Sequence, residues 1–376
     1  VFLFSNIITL IVAIFCTSNV YASPFVIPEG LKPRVLFWKD IFATYGKNQA
    51  VVHHRMFPQI IFDVVDISDV ADSLGPIRAA KYKENAEKDA IARVKKAMIN
   101  LASGGEPATK LEKEIVESMK DLPGGRSKYQ RVIDEDLIRT QTGIRERYEE
   151  AVKRSGRYLP MMEDIFKEYG LPVELTRVPF IESSFDYTAY SSVGAAGIWQ
   201  FMKGTARGYM TVNDVVDERR DPLVATRAAA QYLSRAYSVL GSWPLAITSY
   251  NHGVAGVKRK VNAFGTSDIT KIVEHNYDRP FGFASNNFYP EFLAAVEIYK
   301  TPTKHFPGVR IEPPLKFVER KLSRAMNIKE AAKTYSVSVD DLRKVNYALS
   351  DSVWSGKKLV PNYYSCLLYT SDAADE

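Results

Sequence analysis

Hydrophobic positions along the 376-residue chain recur mainly at three- and four-residue spacing, the period of an amphipathic helix. Ile91, Val94, Met98 and Leu101 form one such stripe, Leu111, Ile115, Met119 and Leu122 a second, and Ile144, Tyr148 and Val152 a third. Breakers separate the first two: "SGGEP" at 103–107, then "LPGG" at 122–125. "LPMMEDIFKEYG" (159–170) reads as a helix closed by Gly170, and 221–241 as one with Asp221 as N-cap, Pro222 at the first position and Gly241 at its end. Further helices are predicted in 242–261 and 288–300. No run alternates over 171–300, which therefore reads as all-α. Residues 25–80 show no clear period.

The prolines of 301–314 mark a linker or wrap. Beyond it, "KFVER" reads as a strand, 327–346 as two short helices broken at 336–339, and "GKKLVPNY" as a closing strand. That pattern is a small βααβ module over 315–363. The expected organisation is thus a segment 1–22, a helical lead-in 23–139 with no chemistry of its own, a helical domain 140–300, the linker, the module, and a tail 364–376 excluded from function because it shares no pattern with the rest. The first segment is an uncharged apolar run followed by "VYA", which reads as a signal peptide cleaved after Ala22 and places the protein in the periplasm or cell envelope. Membrane association is expected only through an uncleaved signal or a lipid anchor at Cys16, where the bulky Phe15 argues against the latter. Oligomeric state is left open.

Composition narrows the partners. The net charge of +6 is dispersed among acids, which argues against nucleic-acid binding. The two cysteines, Cys16 and Cys366, supply no disulfide framework for the body of the chain, and the five histidines have no ligand spacing. No metal or cofactor is expected.

The chemistry is carried by "PFIESSFDYTAYSSVGAAGIWQFM", 179–202. In the run-up "LPVELTRVPFIE", read as one helix, Leu171, Leu175, Val178 and Glu182 share a face, which puts a carboxyl on the buried stripe. An unpaired carboxylate there costs several kcal/mol, roughly, unless it stays protonated or finds donors. The plain alternative is a Glu bonded to backbone or paired with Arg177. The run of Ser, Gly and Ala at 191–197 favours a groove beside Glu182, with Trp199, Gln200 and Met202 at its wall. A buried carboxyl beside an open groove is how a glycosidase holds its general acid.

"ESSF" (182–185), "GAAGIWQFM" (194–202) and "SYNHG" (249–253) together resemble the Slt-type lytic murein transglycosylases of family 1, closest to the membrane-bound lytic murein transglycosylase D subgroup. The resemblance spans about residues 140–300 and implies a mainly α, lysozyme-like (goose-type/Slt) catalytic domain. It implies Glu182 as the single acid/base that cleaves the MurNAc-β-1,4-GlcNAc bond of peptidoglycan glycan strands with formation of 1,6-anhydroMurNAc. Ser183, Ser191, Gln200, Met202, Tyr250 and Asn251 then bind substrate, Tyr250 through a bond to the catalytic carboxyl. One motif departs: the family's E-T-x-x-Y-V is replaced at 284–290 by "ASNNFYP", with Ala284 at the acid position and Phe288 at the Tyr position, though Tyr289 is a candidate substitute. The C-terminal module resembles a divergent LysM domain, which implies glycan binding and a tethering role. Two other functions fit the residues. One is a lysozyme-like muramidase using a water held by Asp186, Asp214, Asp217 or Asp221; the other is an inactive peptidoglycan-binding wall protein.

Overall fold

The computed structural model describes residues 23–275 and 281–369, and the expected signal peptide, 1–22, lies outside them. The fold is mainly helical, and most of the expected stripes are the buried faces of helices. Val94, Met98 and Leu101 line helix Pro76–Ala102, and Tyr148 and Val152 line helix Arg145–Ser155. Helix Leu159–Glu168 ends at Gly170, whose φ of 66° is left-handed. Helix Pro222–Leu240 has its predicted caps: Asp221 accepts from the backbone N–H of Leu223 and Val224, and Gly241 closes it at φ 73°. The stretch 242–261 is two helices, Trp243–His252 and Val254–Phe264, parted at Gly253. The helix expected at 288–300 begins earlier and runs Gly282–Lys300.

The lead-in is not purely helical, which corrects the expectation for 23–139. Gln49–His54 (β1), Ile61–Asp66 (β2) and Ile138–Thr142 (β3) form an antiparallel sheet in the order β2-β1-β3. Ala50 and Val52 of β1 face a core shared with helix Pro76–Ala102, whereas Val51 faces the main core. A strand buried on both sides shows no alternation of polar and apolar residues, so periodicity cannot reveal it. The sheet is a wall between two cores. His53 pairs with Arg139 across β1 and β3, and both rings and guanidinium turn toward Phe283 of helix Gly282–Lys300: His53 lies 5.7 Å from its ring and Arg139 4.2 Å.

The segment after helix Gly282–Lys300 is a wrap. Phe306 is fully buried, Glu312 N–H donates to Lys153 O (3.0 Å), and Leu315 N–H to Arg157 O (3.1 Å). In the module, Phe317–Lys321 (β6) precedes helices Ile328–Thr334 and Val339–Val345. The closing strand is a second correction. "GKKLVPNY" contributes only a single bridge, Met326 to Val360, and the partner of β6 is Ser365–Tyr369 (β7), inside the tail that was set aside. Asn346 fixes that strand: its side chain accepts from Leu367 N–H (2.9 Å) and donates to Leu367 O (2.8 Å), while Cys366 is buried beneath. Among the described residues no helix is long and apolar enough to cross a membrane.

Candidate active site

Glu182 ends a short helix, Val178–Glu182, preceded by a 3-10 turn, Val173–Arg177. The run is not one helix as expected. Pro179 has no N–H and would clash with a carbonyl one turn back, so the α-helix starts where proline fits its first turn. Leu175 and Val178 are fully buried as the stripe requires. The alternative pairing with Arg177 is absent, since Arg177 binds Glu163. Glu182 has no hydrogen bond to any other described residue, and burial pushes its carboxyl up to about 8. It is therefore mainly protonated at neutral pH.

The turn after Glu182 is strained: Ser184 and Phe185 both have φ 54°. Arg154 holds it by donating to Ser184 O (2.7 Å), and Phe185 anchors it in the core. Ser183 is buried and its hydroxyl donates to Ile198 O (2.9 Å), so it ties Glu182 to the small-residue loop from behind the surface. Tyr250 does the same from helix Trp243–His252, donating to Trp199 O (2.8 Å). The phenol expected to bond the catalytic carboxyl thus bonds the neighbouring backbone, although the Glu182 charge still helps to raise its pKa. The loop itself is a minimal hairpin, Ala195–Ala196 (β4) against Phe201–Met202 (β5). Ser191 closes it by accepting from Ala195 N–H (2.9 Å), and Gln200, at φ 49°, donates to Gly197 O (2.8 Å).

Trp199 is core rather than groove wall. It is fully buried, stacked on Phe166, and its Nε1 donates to Thr226 (2.8 Å). The exposed rim consists of Tyr190 (66%), Val193 (74%) and Met202 (46%), an apolar surface beside the carboxyl of which only Met202 was anticipated. Beneath the hairpin lies buried Arg219, which donates to Gly194 O (2.7 Å) and Phe201 O (3.1 Å) and is paired with Asp217 (2.7 Å). Gly197 passes so close that a Cβ there would lie 1.8 Å from Arg219 O, at a φ of 73°.

Helix Gly282–Lys300 forms the far wall. Asn251 accepts from Ser285 (2.7 Å), and His252 is half-buried against Phe281. Phe288 stacks on Tyr250 at 6.4 Å and 11°. Tyr289, the candidate substitute, is turned into the core against Phe292 and does not reach the site. The four aspartates considered as second carboxyls are engaged elsewhere: Asp186 in a turn with Thr188, Asp214 with Lys358, Asp217 with Arg219, and Asp221 as a cap. The acid that does stand near Glu182 is Glu291, which sequence reasoning missed. Burial, then the Glu182 charge, push it up to about 8 against the opposing pull of Arg139. Its sequence signal was its place three residues after Phe288 on one helix face.

The domain is mainly helical, and the Glu182 carboxyl, its pKa raised by burial, ends a short helix followed by a small hairpin. Residues 163–273 match the family described as Transglycosylase SLT domain. Membrane-bound lytic murein transglycosylase D of Escherichia coli strain K12 is 28% identical over 234 residues, which cover 59% of this chain and 50% of that protein. The protein of the same name from E. coli O6:H1 aligns with the same figures. The chain spans about half the length of these curated relatives. A solved structure of the lytic transglycosylase Slt of Pseudomonas aeruginosa, an inactive mutant, aligns at 21% identity and a TM-score of 0.33 over 61% of this chain and 33% of that one.

Proposed function

We propose that the chain is a peptidoglycan lytic transglycosylase of the cell envelope, with Glu182 as its acid and base. The observation that carries this reading is the Glu182 carboxyl, held protonated by burial at the end of a helix inside the SLT match. The acid donates its proton to the oxygen linking MurNAc C1 to GlcNAc C4, and the GlcNAc side leaves as an alcohol. The resulting carboxylate takes the proton of the MurNAc C6 hydroxyl as that oxygen closes on C1. Glu182 ends protonated as it began, no water is consumed, and the product carries a 1,6-anhydro ring. An intramolecular nucleophile has a large effective concentration, which offsets the lack of a nucleophilic carboxylate. Gln200, Met202 and Asn251 contact the sugars, and the rim of Tyr190 and Val193 offers apolar surface to their ring faces. Ser183, Ser191 and Tyr250 act by fixing the hairpin. The module at 315–369 adds a glycan-binding surface of LysM type.

Glu291 supports a second reading, a muramidase in which that carboxylate activates water. Mass spectrometry of muropeptides released from purified sacculi decides between them. Anhydro products, one water lighter, are expected; reducing-end MurNAc alone would make the enzyme a hydrolase. An absence of any cleavage would leave only wall binding.

A further inference from the structure

The N-terminal segment, expected to have no chemistry of its own, holds a cavity of about 80 Å³ lined by none of the residues of the Glu182 site. It lies between the end of β1 and helix Ser127–Asp134. Met56, Phe57, Leu122, Val132 and Leu137 give it apolar walls, and His54, the last residue of β1, lines it with them. The chain turns back at this point: His54 N–H donates to Ile60 O (2.9 Å) and Ile60 N–H to Phe57 O (2.8 Å). Inside the turn, the backbone N–H groups of Met56 and Phe57 both donate to His54 Nδ1, at 3.1 and 3.2 Å. An imidazole nitrogen that accepts carries no proton, so the neutral ring bears its proton on Nε2. The ring is neutral, because burial first and then nearby positive groups lower its pKa to about 3. His54 is 3% exposed, yet its Nε2–H has no partner among the described residues. A buried donor without an acceptor is costly, and here it stands in the wall of a cavity.

The charge around the cavity has one sign. Lys128, Arg131 and Val132 stand at i, i+3 and i+4 on helix Ser127–Asp134 and share the face that lines it. Arg131 is paired with Glu135 (2.9 Å). Lys128 donates only to two neutral carbonyls, Met119 O (2.6 Å) and Leu122 O (3.4 Å), and has no acid partner among the described residues. The Arg34 guanidinium, over the Phe57 ring at 5.9 Å, adds to the positive potential. No Asp or Glu is among the lining residues. We propose that this cavity binds a carboxylate carried on a small apolar body, as at the C-terminal residue of a peptide or in a branched short-chain acid. One carboxylate oxygen accepts from His54 Nε2–H, Lys128 supplies the opposite charge, and the alkyl group fills the apolar walls. The volume is about half that of a cavity of about 150 Å³ that admits benzene, which suits a branched aliphatic group rather than a ring.

The test is titration calorimetry on the whole chain, together with the nitrogen NMR shift of His54 Nε2, using isovalerate, isovaleramide and acetyl-alanyl-alanine as probes. Isovalerate should bind with a dissociation constant on the order of millimolar, as suits so few atoms, and should move the His54 Nε2 signal. Isovaleramide, the same shape without the charge, should bind at least about tenfold more weakly. Lys128→Met should weaken isovalerate by about tenfold, and Leu122→Trp, which fills the cavity, should abolish binding, with the Tm of each variant as the check of folding. Tighter binding of acetyl-alanyl-alanine than of isovalerate identifies a peptide terminus as the source of the carboxylate, and the reverse identifies a free acid. Equal affinity for isovaleramide overturns the proposal. So does a His54 Nε2 signal that none of the acids moves, which would leave a hydrated cavity only. Binding that survives Leu122→Trp in a folded protein places the ligand elsewhere and overturns it as well.

Discussion

Glu182 carries opposite consequences for chemistry and for stability. Burial holds its pKa at about 8 against the ordinary 4.5, so between those values the native state keeps a proton that the unfolded chain has released. Native stability therefore falls as pH rises through that window. Glu182→Gln should reduce kcat by about 10²–10⁴-fold, as removal of a general acid does. The same variant should melt higher than wild type at pH 8, by about 1–3 kcal/mol, and differ little at pH 4. Calorimetry across that range checks the sign, and an equal Tm at pH 8 would show that the carboxyl is not desolvated. Gly197→Ala is the steric counterpart. It asks for a Cβ at a left-handed φ and 1.8 Å from Arg219 O, so a loss of about 2–4 kcal/mol and of activity is expected. The candidate acid stood out in the chain because a lone Glu on an apolar stripe is anomalous. The aim of the Ser183 and Tyr250 hydroxyls was not legible, since it depends on two carbonyls, Ile198 and Trp199, presented by the hairpin.

Short elements shape this site, and buried polar struts hold them. The hairpin of β4 and β5 is two residues per strand, too little to stand alone, and the Asp217–Arg219 pair supports it from below. Arg219→Met should leave Asp217 without its partner and free the Gly194 and Phe201 carbonyls, at a cost of about 3–5 kcal/mol. A paired change of Asp217→Asn and Arg219→Met should cost less than the single change, which a double-mutant cycle by urea titration would read out. The sheet shows the limit of pattern reading at this scale. "QAVVHH" is apolar on both faces because helices cover both, and a doubly covered strand looks like any short buried run.

Across the whole molecule, the C-terminal module is docked rather than loosely tethered. Val216 of the helical domain belongs to the module's core, Asp217 N–H donates to Ala348 O (2.8 Å), and Ser350 N–H to Val215 O (3.0 Å). Tyr187 stacks on Tyr347 at 5.9 Å, and Lys358 pairs with Asp214. The loop 213–217 that receives the module runs directly into Arg219 under the hairpin. Removing residues 315–369 should therefore lower the Tm of the catalytic domain and reduce cleavage of soluble as well as insoluble glycan. A pure tether would spare the soluble substrate, so the ratio of the two losses decides between the roles. The exposed Lys358→Ala, by contrast, should change stability by less than about 1 kcal/mol.

The chain by itself determined the helical class, the caps of helix Pro222–Leu240, the two short helices of the module and the candidate acid, because those follow from local spacing and from the misfit of one charge on an apolar face. Tertiary structure alone decided that β1 is a shared wall, that the tail supplies β7 and that Trp199 is core. Each of these depends on what covers a face from a distant segment. Burial and the energy of a buried charge are set by such neighbours, and spacing along the chain carries no record of them.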